Sequence, residues 1–390
     1  MEKIKELSIP NDVRVIIISD IHGELDLFKE LLHKVNFKDE DYLIINGDLC
    51  EKGRDSIGVV NYVMDLVASK PNVYVIEGNC EVVVEALVNE NPALINYLCT
   101  RKNTIFNEWL AQLNVTVHEE SDICEVKNIL MGHFSKEIKW LTELPTAIET
   151  EDYIFVHAGL EDREDWKETE RKNAIAMPEF FNQSHKANKY VVVGHWPVVN
   201  YSDEAPSNNP VIDKEKKIIA IDGGNAIKEA GQLNAFIIQR TSASDKFSYT
   251  YVDYFPEYEV IADFHADATM QGGVTYPHYY IELIEKKQDY TICRQKETNT
   301  LFSVKDEYIK QLDSGEYTVK TDISCAQISV RKGDIVSLID GSCSGYDLIK
   351  KDGVEGWIEK GILVEIEKAK RKYLVEIGGR QPPIFYYLFK

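Results

Sequence analysis

The stretch that decides the fold is Val15–Asp26, which reads VIIISDIHGELD. Its first part, Val15–Ile18, is an unbroken apolar run, which is typical of a strand buried on both faces in a parallel sheet. The polar residues that follow are expected just past the carboxyl end of that strand, where open α/β sheets bind ligands. Because an Asp and a His two residues apart can direct an oxygen and a nitrogen to one point, Asp20 and His22 are candidate ligands of a divalent metal.

The same pattern recurs at five further places along the chain. In each, a short β-rich run ends near a metal-competent or hydrogen-bonding residue, usually beside a glycine that lets the backbone approach a ligand closely. The runs and their polar ends are Tyr42–Ile45 before Asp48, Val73–Ile76 before Asn79, Tyr153–Val156 before His157, Tyr190–Val193 before His195, and Lys217–Ile221 before Asp222. Ordinary strand-to-loop turns explain one or two such endings, whereas six favour a common site. We expect Asp222 to support that site by hydrogen bonding and not to bind metal.

This ordered set of motifs resembles the calcineurin-like metallophosphoesterases over about residues 12–240, and most of all the bacterial members of their phosphoprotein phosphatase branch. The motifs are D-x-H, G-D, G-N, H-A-G and G-H. The resemblance implies an α/β fold, an αββα sandwich with two metals at the strand ends. It implies six metal ligands, which are Asp20, His22, Asp48, Asn79, His157 and His195. The first three hold one ion, the last three hold the other, and Asp48 bridges the two.

These residue types suit hydrolysis of a phosphoester by metal-activated water. Two cations about 3.5–4 Å apart clamp phosphate oxygens and generate a hydroxide near neutral pH. A bridging carboxylate is needed because two dications repel each other. Histidine and asparagine suit Mn, Fe or Zn better than Mg or Ca. We therefore expect two divalent metal ions, with Mn²⁺ favoured and Fe²⁺ or Zn²⁺ as alternatives.

Two motifs depart from the phosphatase branch at residues to which the resemblance assigns catalytic roles. Where that branch reads GDxxDRG, this chain has Glu51 for the Asp and Lys52 for the Arg, with Arg54 one residue late. Where it reads GNHE, Cys80 replaces the His that protonates the leaving group. A thiol, with an ordinary pKa near 8.5, can donate a proton, but it has no second nitrogen through which it could be oriented. A lysine ammonium is a point charge and cannot form the two parallel hydrogen bonds of an arginine guanidinium, so we expect weaker binding of phosphate. Arg54 is a candidate to compensate for this loss.

A second phosphate-binding arginine is expected between the last two histidine motifs. Arg163 and Arg171 lie there outside any motif, and the best-matching position holds Met177. Some bacterial members of the wider family carry GNC in place of GNH and resemble phosphodiesterases. A diester has a better leaving group and less charge, so it needs less help from a general acid and from arginines. We therefore predict a preference for diesters or activated esters over phosphoserine.

Composition argues against several other classes of function. The net charge of −21 and the pI of about 4.9 argue against general nucleic-acid binding or binding to anionic membranes, both of which need a basic face. The N-terminus has no apolar signal core and no run approaches about 18 apolar residues. Seven cysteines without a CxxC motif predict neither a disulfide framework nor a zinc finger, and a cytoplasmic location is expected. Cys50 and Cys80 are expected near the site as packed thiols, with oxidative control as the alternative.

Apolar periodicity predicts a helical layer around these strands and a hairpin that closes the first domain. The predicted helices are Glu24–Val35, Asp55–Ser69, Glu81–Val88 and Phe134–Leu144, with further helical structure over residues 91–119. The hairpin is formed by Gln232–Arg240 and Phe247–Tyr254. The metallophosphoesterase domain is therefore expected to span residues 1–254.

Beyond Pro256, short strands and turns replace the periodic helices. Tyr280–Ile309 and Asp334–Ile362 form a faint internal repeat, and the stretch Gly356–Ile362 resembles the end of an SH3-like barrel. We expect an SH3-like β-barrel at 255–313, a second at 314–366 and a C-terminal tail at 367–390. One irregular β-domain is the alternative for the two barrels. A protein or peptide partner is expected at the barrels.

Three functions from different classes are compatible with these features. The first is a two-metal phosphoesterase acting on a nucleotide, a diester or a phosphoprotein, which includes a serine/threonine protein phosphatase. The second is a metal-binding pseudoenzyme that recognises phosphate, and the third is a scaffold. Because a disused site has no physical reason to keep all six ligand types, the intact set favours the enzyme.

Overall fold

The computed structural model describes residues 1, 3–202 and 205–366, so the predicted tail at 367–390 lies outside the described residues. The helices are α1 (Leu25–Lys34), α2 (Ser56–Ser69), α3 (Asn79–Val88), α4 (Ala93–Thr100), α5 (Ile105–Gln112), α6 (Ile123–Thr142) and α7 (Arg171–Ala176). The strands of the N-terminal part are β1 (Ile4–Glu6), β2 (Arg14–Ile18), β3 (Tyr42–Asn46), β4 (Val73–Ile76), β5 (Ala147–Glu149), β6 (Tyr153–Val156), β7 (Tyr190–Val193), β8 (Val211–Asp213), β9 (Ile218–Ala220), β10 (Leu233–Gln239) and β11 (Lys246–Val252). The strands of the C-terminal part are β12 (Glu257–Val260), β13 (Gly273–Val274), β14 (Tyr280–Lys286), β15 (Tyr290–Gln295), β16 (Leu301–Lys305), β17 (Ile309–Gln311), β18 (Tyr317–Val319), β19 (Ile323–Ser324), β20 (Ile335–Asp340), β21 (Tyr346–Lys351), β22 (Val354–Glu359) and β23 (Leu363–Glu365).

Two sheets that pack face to face form the centre of the N-terminal part. One has the strand order β11-β10-β2-β3-β4 and the other β1-β5-β6-β7-β9-β8. Their facing sides share one buried cluster that includes Ile17, Ile44, Phe155 and Val192. The strands β2, β3 and β4 are parallel to one another, as are β6, β7 and β9. Their polar carboxyl-terminal residues are therefore gathered at the ends of the two sheets.

Helices and loops cover the outer faces of this pair of sheets. The largest buried cluster joins α1 to α6 with the outer side of the first sheet, and a second cluster joins α7 and neighbouring loops with the second sheet. Apolar side chains at helical spacing produce this packing, as in α1, where Leu27, Phe28, Leu31 and Leu32 are buried. The predicted α/β fold of the N-terminal part is confirmed.

The helix α6 differs from its prediction because it begins at Ile123 and not at Phe134. Phe134 itself has non-helical backbone angles (φ −124°, ψ 25°), which mark a kink inside the element. The residues before the kink bury Ile123, Val126 and Leu130. The sequence prediction thus began at the kink and missed the first half of the helix.

The C-terminal part is an antiparallel β-region whose strand pairing crosses the expected division at residues 313 and 314. Its larger sheets have the orders β22-β21-β20-β12-β23 and β16-β15-β14-β18-β17, and β13 pairs with β19. The early strand β12 therefore belongs with the late strands, and β18 belongs with the early strand β14. Two separate barrels at 255–313 and 314–366 remain a prediction.

Buried polar contacts fix the C-terminal region against the N-terminal part. Lys350 Nζ lies 3.1 Å from an oxygen of Asp253, and neither side chain is more than 7% exposed. The amide of Asn208 donates a hydrogen bond to the buried carboxylate of Glu355. Since such pairs are costly to separate in a dry interface, the two regions are expected to keep one relative position. None of the helices in the described residues is long and apolar enough to cross a membrane.

Candidate metal centre

The strand ends bring the predicted ligands together at one buried point. Asp20, Asp48 and His157 each place a ligand atom within 4.8 Å of the others. His22, Asp48 and Cys80 form a second such group with the same spacing. All five are buried. Asp48 belongs to both groups, which is the position that a bridging carboxylate would occupy.

The two remaining predicted ligands touch the same cluster. Asn79 is the first residue of α3, and its side-chain oxygen lies 3.2 Å from Nε2 of His157. The ring of His195 stands 5.2 Å from the ring of His157, measured between centroids. The backbone N–H of His195 donates to Oδ2 of Asp20 over 3.1 Å. All six residues named by the motifs are therefore neighbours.

The backbone at this cluster adopts a conformation with positive φ, which residues other than glycine rarely adopt. Asp20, His22, Asp48 and His195 have positive φ angles of 56°, 50°, 53° and 65°. Asp20, Asp48 and His195 each lie two residues after the end of a strand, and His22 lies four residues after the end of β2. Strained backbone of this kind persists where the surrounding structure over-determines it, and it concentrates at functional sites.

Two histidines are held in the tautomer that metal ligation requires. Nδ1 of His157 lies 2.8 Å from the carbonyl oxygen of Asn46, and Nδ1 of His22 lies 3.3 Å from that of Cys50. Because a carbonyl oxygen can only accept a hydrogen bond, each Nδ1 carries a proton, and Nε2 is the ring nitrogen that faces the cluster. These Nε2 atoms lie 3.4 Å and 3.7 Å from the carboxylate of Asp48.

The charges of the cluster also suit a bound cation. Burial lowers the pKa of His22 and of His195 to about 3, so both imidazoles are neutral, as metal ligands are. Burial and the nearby charge of Asp48 raise the pKa of Asp20 to about 8. Oδ1 of Asp20 is buried and has no hydrogen-bond partner among the described residues. An unpartnered carboxylate oxygen beside a second carboxylate, with neutral histidines around both, fits divalent metal ions.

Glu81 organises the loops around Asp48, although sequence reasoning gave it no role. Its carboxylate accepts hydrogen bonds from the backbone N–H groups of Gly78, Asp48 and Leu49, over 2.7, 2.9 and 2.8 Å. One side chain thereby ties the turn after β3 to the start of α3. The sequence did show that Glu81 is an acidic residue in the first turn of a helix. It did not show that this carboxylate binds the backbone of Asp48 and Leu49.

Cys80 points at the carboxylate of Asp48. Its sulfur lies 3.1 Å from Oδ2 of Asp48, and its backbone N–H donates to Oδ1 over 2.9 Å. Burial and the charge of Asp48 raise the pKa of this thiol. Burial likewise raises the pKa of Cys50, whose sulfur lies 3.5 Å from Glu81. Because the thiolate is the form that is readily oxidised, these surroundings favour the packed-thiol interpretation of both cysteines.

The carboxylate of Glu51, which replaces the Asp of the GDxxDRG motif, makes its described hydrogen bonds with α4 and α5. Its carboxylate accepts the hydroxyl proton of Tyr97 over 2.6 Å and the backbone N–H of Ile105 over 3.0 Å. It thereby anchors α4 and α5 beside the site. Burial raises the pKa of Glu51 to about 7, against the effect of these two donors. Sequence reasoning missed Tyr97 because it lies 46 positions away in the chain.

The predicted cationic residues are placed unequally with respect to the centre. Lys52 Nζ lies 3.3 Å from Nε2 of His22, so this lysine is at the metal cluster. Arg54 is exposed, and its guanidinium stacks 5.6 Å from the ring centre of Tyr254. Arg171 instead binds the carboxylates of Glu77 and Glu85.

Three other residues singled out in the sequence support nearby structure. Arg163 pairs with Glu161, and Met177 is buried in the core beside α7. Oδ1 of Asp222 accepts the backbone N–H of Gly224 over 2.7 Å, while its Oδ2 is buried without a partner among the described residues. Burial raises the pKa of Asp222 well above its usual range.

Comparison with known proteins agrees with this geometry. The Calcineurin-like phosphoesterase family matches residues 13–223, which is more than half of the chain. The chain belongs to this family. Membership in the calcineurin-like phosphoesterases implies divalent metal ions, in agreement with the two groups of potential ligands that share Asp48.

Curated relatives match the chain over part of their length. A symmetrical bis(5'-nucleosyl)-tetraphosphatase from Buchnera aphidicola subsp. Acyrthosiphon pisum is 31% identical over 150 residues, covering 35% of this chain and 50% of the relative. The enzyme of the same name from Buchnera aphidicola subsp. Schizaphis graminum is 32% identical over 133 residues, covering 32% of this chain and 46% of the relative. The chain thus spans about half the length of the curated relatives it matches.

The chain is also similar to solved structures, at lower sequence identity. A candidate diadenosine tetraphosphatase is 18% identical, with a TM-score of 0.41, over 63% of this chain and 97% of that one. A protein serine/threonine phosphatase from Saccharomyces cerevisiae is 14% identical, with a TM-score of 0.43, over 65% of this chain and 85% of that one.

Proposed function

We propose that this chain hydrolyses nucleotide phosphoesters and phosphoanhydrides with two divalent cations, and that dinucleoside polyphosphates are its substrate class. The observation that carries the proposal is that Asp20, His22, Asp48 and His157 meet at one buried point, where they belong to two overlapping groups of potential ligands that share Asp48. Family membership supports the reaction type. The names of the curated relatives, which are tetraphosphatases acting on bis(5'-nucleosyl) compounds, support the substrate class.

Six side chains are proposed to hold the cations, with Mn²⁺ favoured over Fe²⁺ or Zn²⁺. Asp20 and His22 would serve one ion, Asn79, His157 and His195 the other, and Asp48 both. When bound, two such cations draw phosphate oxygens between them and lower the pKa of a water molecule. The protein's own part is to orient the imidazoles of His157 and His22, through the carbonyl oxygens of Asn46 and Cys50, and to exclude bulk water from a cluster that is almost wholly buried.

Lys52 is proposed to stabilise the phosphate group. Its ammonium lies at the metal cluster, 3.3 Å from His22, so it can place a positive charge beside a bound phosphate. A lysine holds a phosphate oxygen as a point charge, whereas an arginine would bind two oxygens in a fixed fork. The site therefore relies on fewer directed hydrogen bonds to phosphate than a site with a bidentate arginine.

Cys80 favours substrates that need little protonation of the leaving group. Its thiol is buried and directed at Asp48, and its pKa is raised, so it is a poor proton donor to a departing alkoxide. The internal phosphoryl groups of a dinucleoside polyphosphate carry two bridging oxygens, as a diester does. Their leaving group is a nucleotide phosphate, which departs without a proton. The substrate class of the relatives thus agrees with the preference for diesters and activated esters that Cys80 predicts.

The proposal is tested with substrates that differ at the leaving group. Protein stripped of metal and reloaded with Mn²⁺ is assayed on a symmetrical dinucleoside tetraphosphate, an aryl phosphate diester, the matching monoester and a phosphoserine peptide. We expect the tetraphosphate and the diester to be cleaved faster than the monoester and the peptide. Efficient cleavage of phosphoserine with no action on the first two would instead make the chain a protein phosphatase, and binding of two metals without turnover would make it a phosphate-binding pseudoenzyme.

A further inference from the structure

An aromatic pair joins the metal centre to the C-terminal β-region. Trp196 directly follows His195, and its ring centroid lies 5.7 Å from that of Tyr276 at an interplanar angle of 60°. Tyr276 belongs to the loop between β13 and β14, outside the part of the chain that matches the family. Both side chains are only partly buried. The C-terminal region thus contributes a partly accessible aromatic ring beside Trp196, the residue that follows His195 in the chain.

A buried ion pair fixes this loop in place. The carboxylate of Asp322 accepts the backbone N–H of Tyr276 and the hydroxyl proton of Tyr279, both over 2.8 Å. Lys228, from the N-terminal part, places Nζ 2.6 Å from the same carboxylate and 5.7 Å from the ring centre of Tyr276. Lys228 and Asp322 are 9% and 15% exposed. The ring of Tyr276 is therefore held by contacts to both regions.

The indole of Trp196 has an unused polar group. Its Nε1 is buried, and it has no hydrogen-bond acceptor among the described residues. Buried donors without acceptors are rare in folded proteins, and each calls for an explanation. A ligand with ring nitrogens or carbonyl oxygens beside an aromatic face would supply the missing acceptor.

We propose that Trp196 and Tyr276 bind a nucleobase of the substrate, so that the C-terminal region completes the substrate site. This inference rests on the proposed function, and it deepens that function by assigning base recognition to two residues. Aromatic faces bind bases of any identity because every base has a π-face. Recognition through Trp196 and Tyr276 therefore selects nucleotides over inorganic polyphosphate, without a strong preference among bases.

The direct test compares ligands with and without a base. The full chain loaded with Mn²⁺ is titrated calorimetrically with adenosine diphosphate and with inorganic tripolyphosphate. In Tyr276→Leu we expect the Kd of the nucleotide to rise about tenfold, the scale of one lost base stack, while the Kd of tripolyphosphate stays within about twofold. The matched variant Tyr276→Phe keeps the ring and is expected to bind the nucleotide like the wild type.

Two further results separate base recognition from simple packing. If Tyr276→Leu weakens nucleotide and tripolyphosphate equally, the ring only stabilises the region and the inference is overturned. If both Kd values stay unchanged in Tyr276→Leu and in Trp196→Leu, the inference is likewise overturned. Tyr280→Ala, which removes an exposed ring from the same region, controls for general effects of substitution.

The titration also distinguishes failure of this inference from failure of the proposed function. A wild-type protein that binds adenosine diphosphate through Tyr276 but hydrolyses no phosphoester contradicts the proposed reaction and supports the aromatic site. A wild-type protein that cleaves a dinucleoside tetraphosphate, with a KM that is the same in Tyr276→Leu, supports the reaction and contradicts the aromatic site.

Discussion

At the scale of single residues, Asp48 is the most constrained side chain of the candidate centre. It lies in both groups of potential ligands, accepts the backbone N–H of Cys80 and faces that residue's thiol. A Cβ atom at Gly78 would collide with its carboxylate. The glycine therefore leaves the space in which the carboxylate can reach both proposed metal positions.

Substitution of Gly78 by alanine is expected to damage the centre. The added methyl group would collide with Oδ1 of Asp48 and would lie 2.5 Å from the backbone nitrogen of the same residue, so Asp48 must shift. We predict that kcat for a diester falls at least about tenfold, because a misplacement of about 1 Å is costly to catalysis. The matched control is Gly132→Ala, whose new methyl group meets nothing within 4 Å on the surface of α6. Equal activity of the two variants would show that the position of Asp48 is not critical.

Substitution of Cys80 by histidine tests whether the absence of a proton donor at position 80 sets the preference for diesters. An imidazole titrates near neutral pH, and general acid catalysis contributes about 10²–10⁴-fold where the leaving group needs a proton. We predict that Cys80→His raises the rate on an aryl monoester relative to the diester by at least about tenfold. Cys80→Ser, which keeps the size of the side chain, should leave that ratio low. The explanation is wrong if the two variants give the same ratio.

The sequence could predict that the six candidate ligands lie close together, because each one follows a β-rich apolar run within a few residues. The roles of Glu81 and Glu51 could not, since both depend on contacts that no local pattern records. Glu51 shows the physical reason, because its carboxylate is bound by Tyr97 from α4 and by the start of α5. The neighbours of Glu51 depend on how the helices α4 and α5 pack. The spacing of residues within its own motif carries no information about that packing.

At the scale of elements, the helices α4 and α5 are attached to the site through one carboxylate. Removing the hydroxyl in Tyr97→Phe leaves Glu51 buried with one donor fewer. A hydrogen bond to a charged group contributes about 1.5–3 kcal/mol. At pH 8, above the pKa of about 7 of Glu51, we therefore predict a loss of this size in the free energy of unfolding by urea. Tyr249→Phe, on an exposed tyrosine, is the matched control and should cost little. A similar small loss in both variants would mean that Glu51 does not anchor these helices.

Elements with strong periodicity were predictable, and elements defined by distant pairing were not. Buried strands such as Val73–Ile76 begin and end where the sequence indicates. The backbone leaves helical geometry at Phe134, where the predicted helix began, so the prediction missed the first half of α6. In the C-terminal region, β12 pairs with β20 and β23, which lie far along the chain. Alternation of apolar and polar side chains indicates that a segment forms a strand, but it does not indicate which other strand pairs with it.

At the scale of the whole molecule, the buried pair of Asn208 and Glu355 links stability to pH. Burial raises the pKa of Glu355 from about 4.5 to about 7, against the effects of Lys350 and Asn208. Between these two values the folded state keeps a proton that the unfolded state has released. The contribution of this group to stability is therefore full below about pH 4.5 and is lost as the pH rises to about 7, by up to about 3 kcal/mol.

The variant Glu355→Gln should lack this dependence because an amide does not titrate. We predict that the difference in unfolding free energy between variant and wild type grows in favour of the variant from pH 5 to pH 8, as measured by urea denaturation. Asn208 can still donate to the amide oxygen, so the contact between the two regions is kept. A constant difference across this range would contradict the linkage.

The central claim is that the motif residues around Asp48 form a metal-dependent phosphoesterase centre. The measurement that tests it most directly is turnover of a symmetrical dinucleoside tetraphosphate by stripped protein as Mn²⁺ is added back, beside the variant Asp48→Asn. We predict that turnover requires the added cation and that the variant, which loses the shared carboxylate charge, is at least about 100-fold slower. Turnover by fully stripped protein, or equal turnover by Asp48→Asn, would contradict the claim.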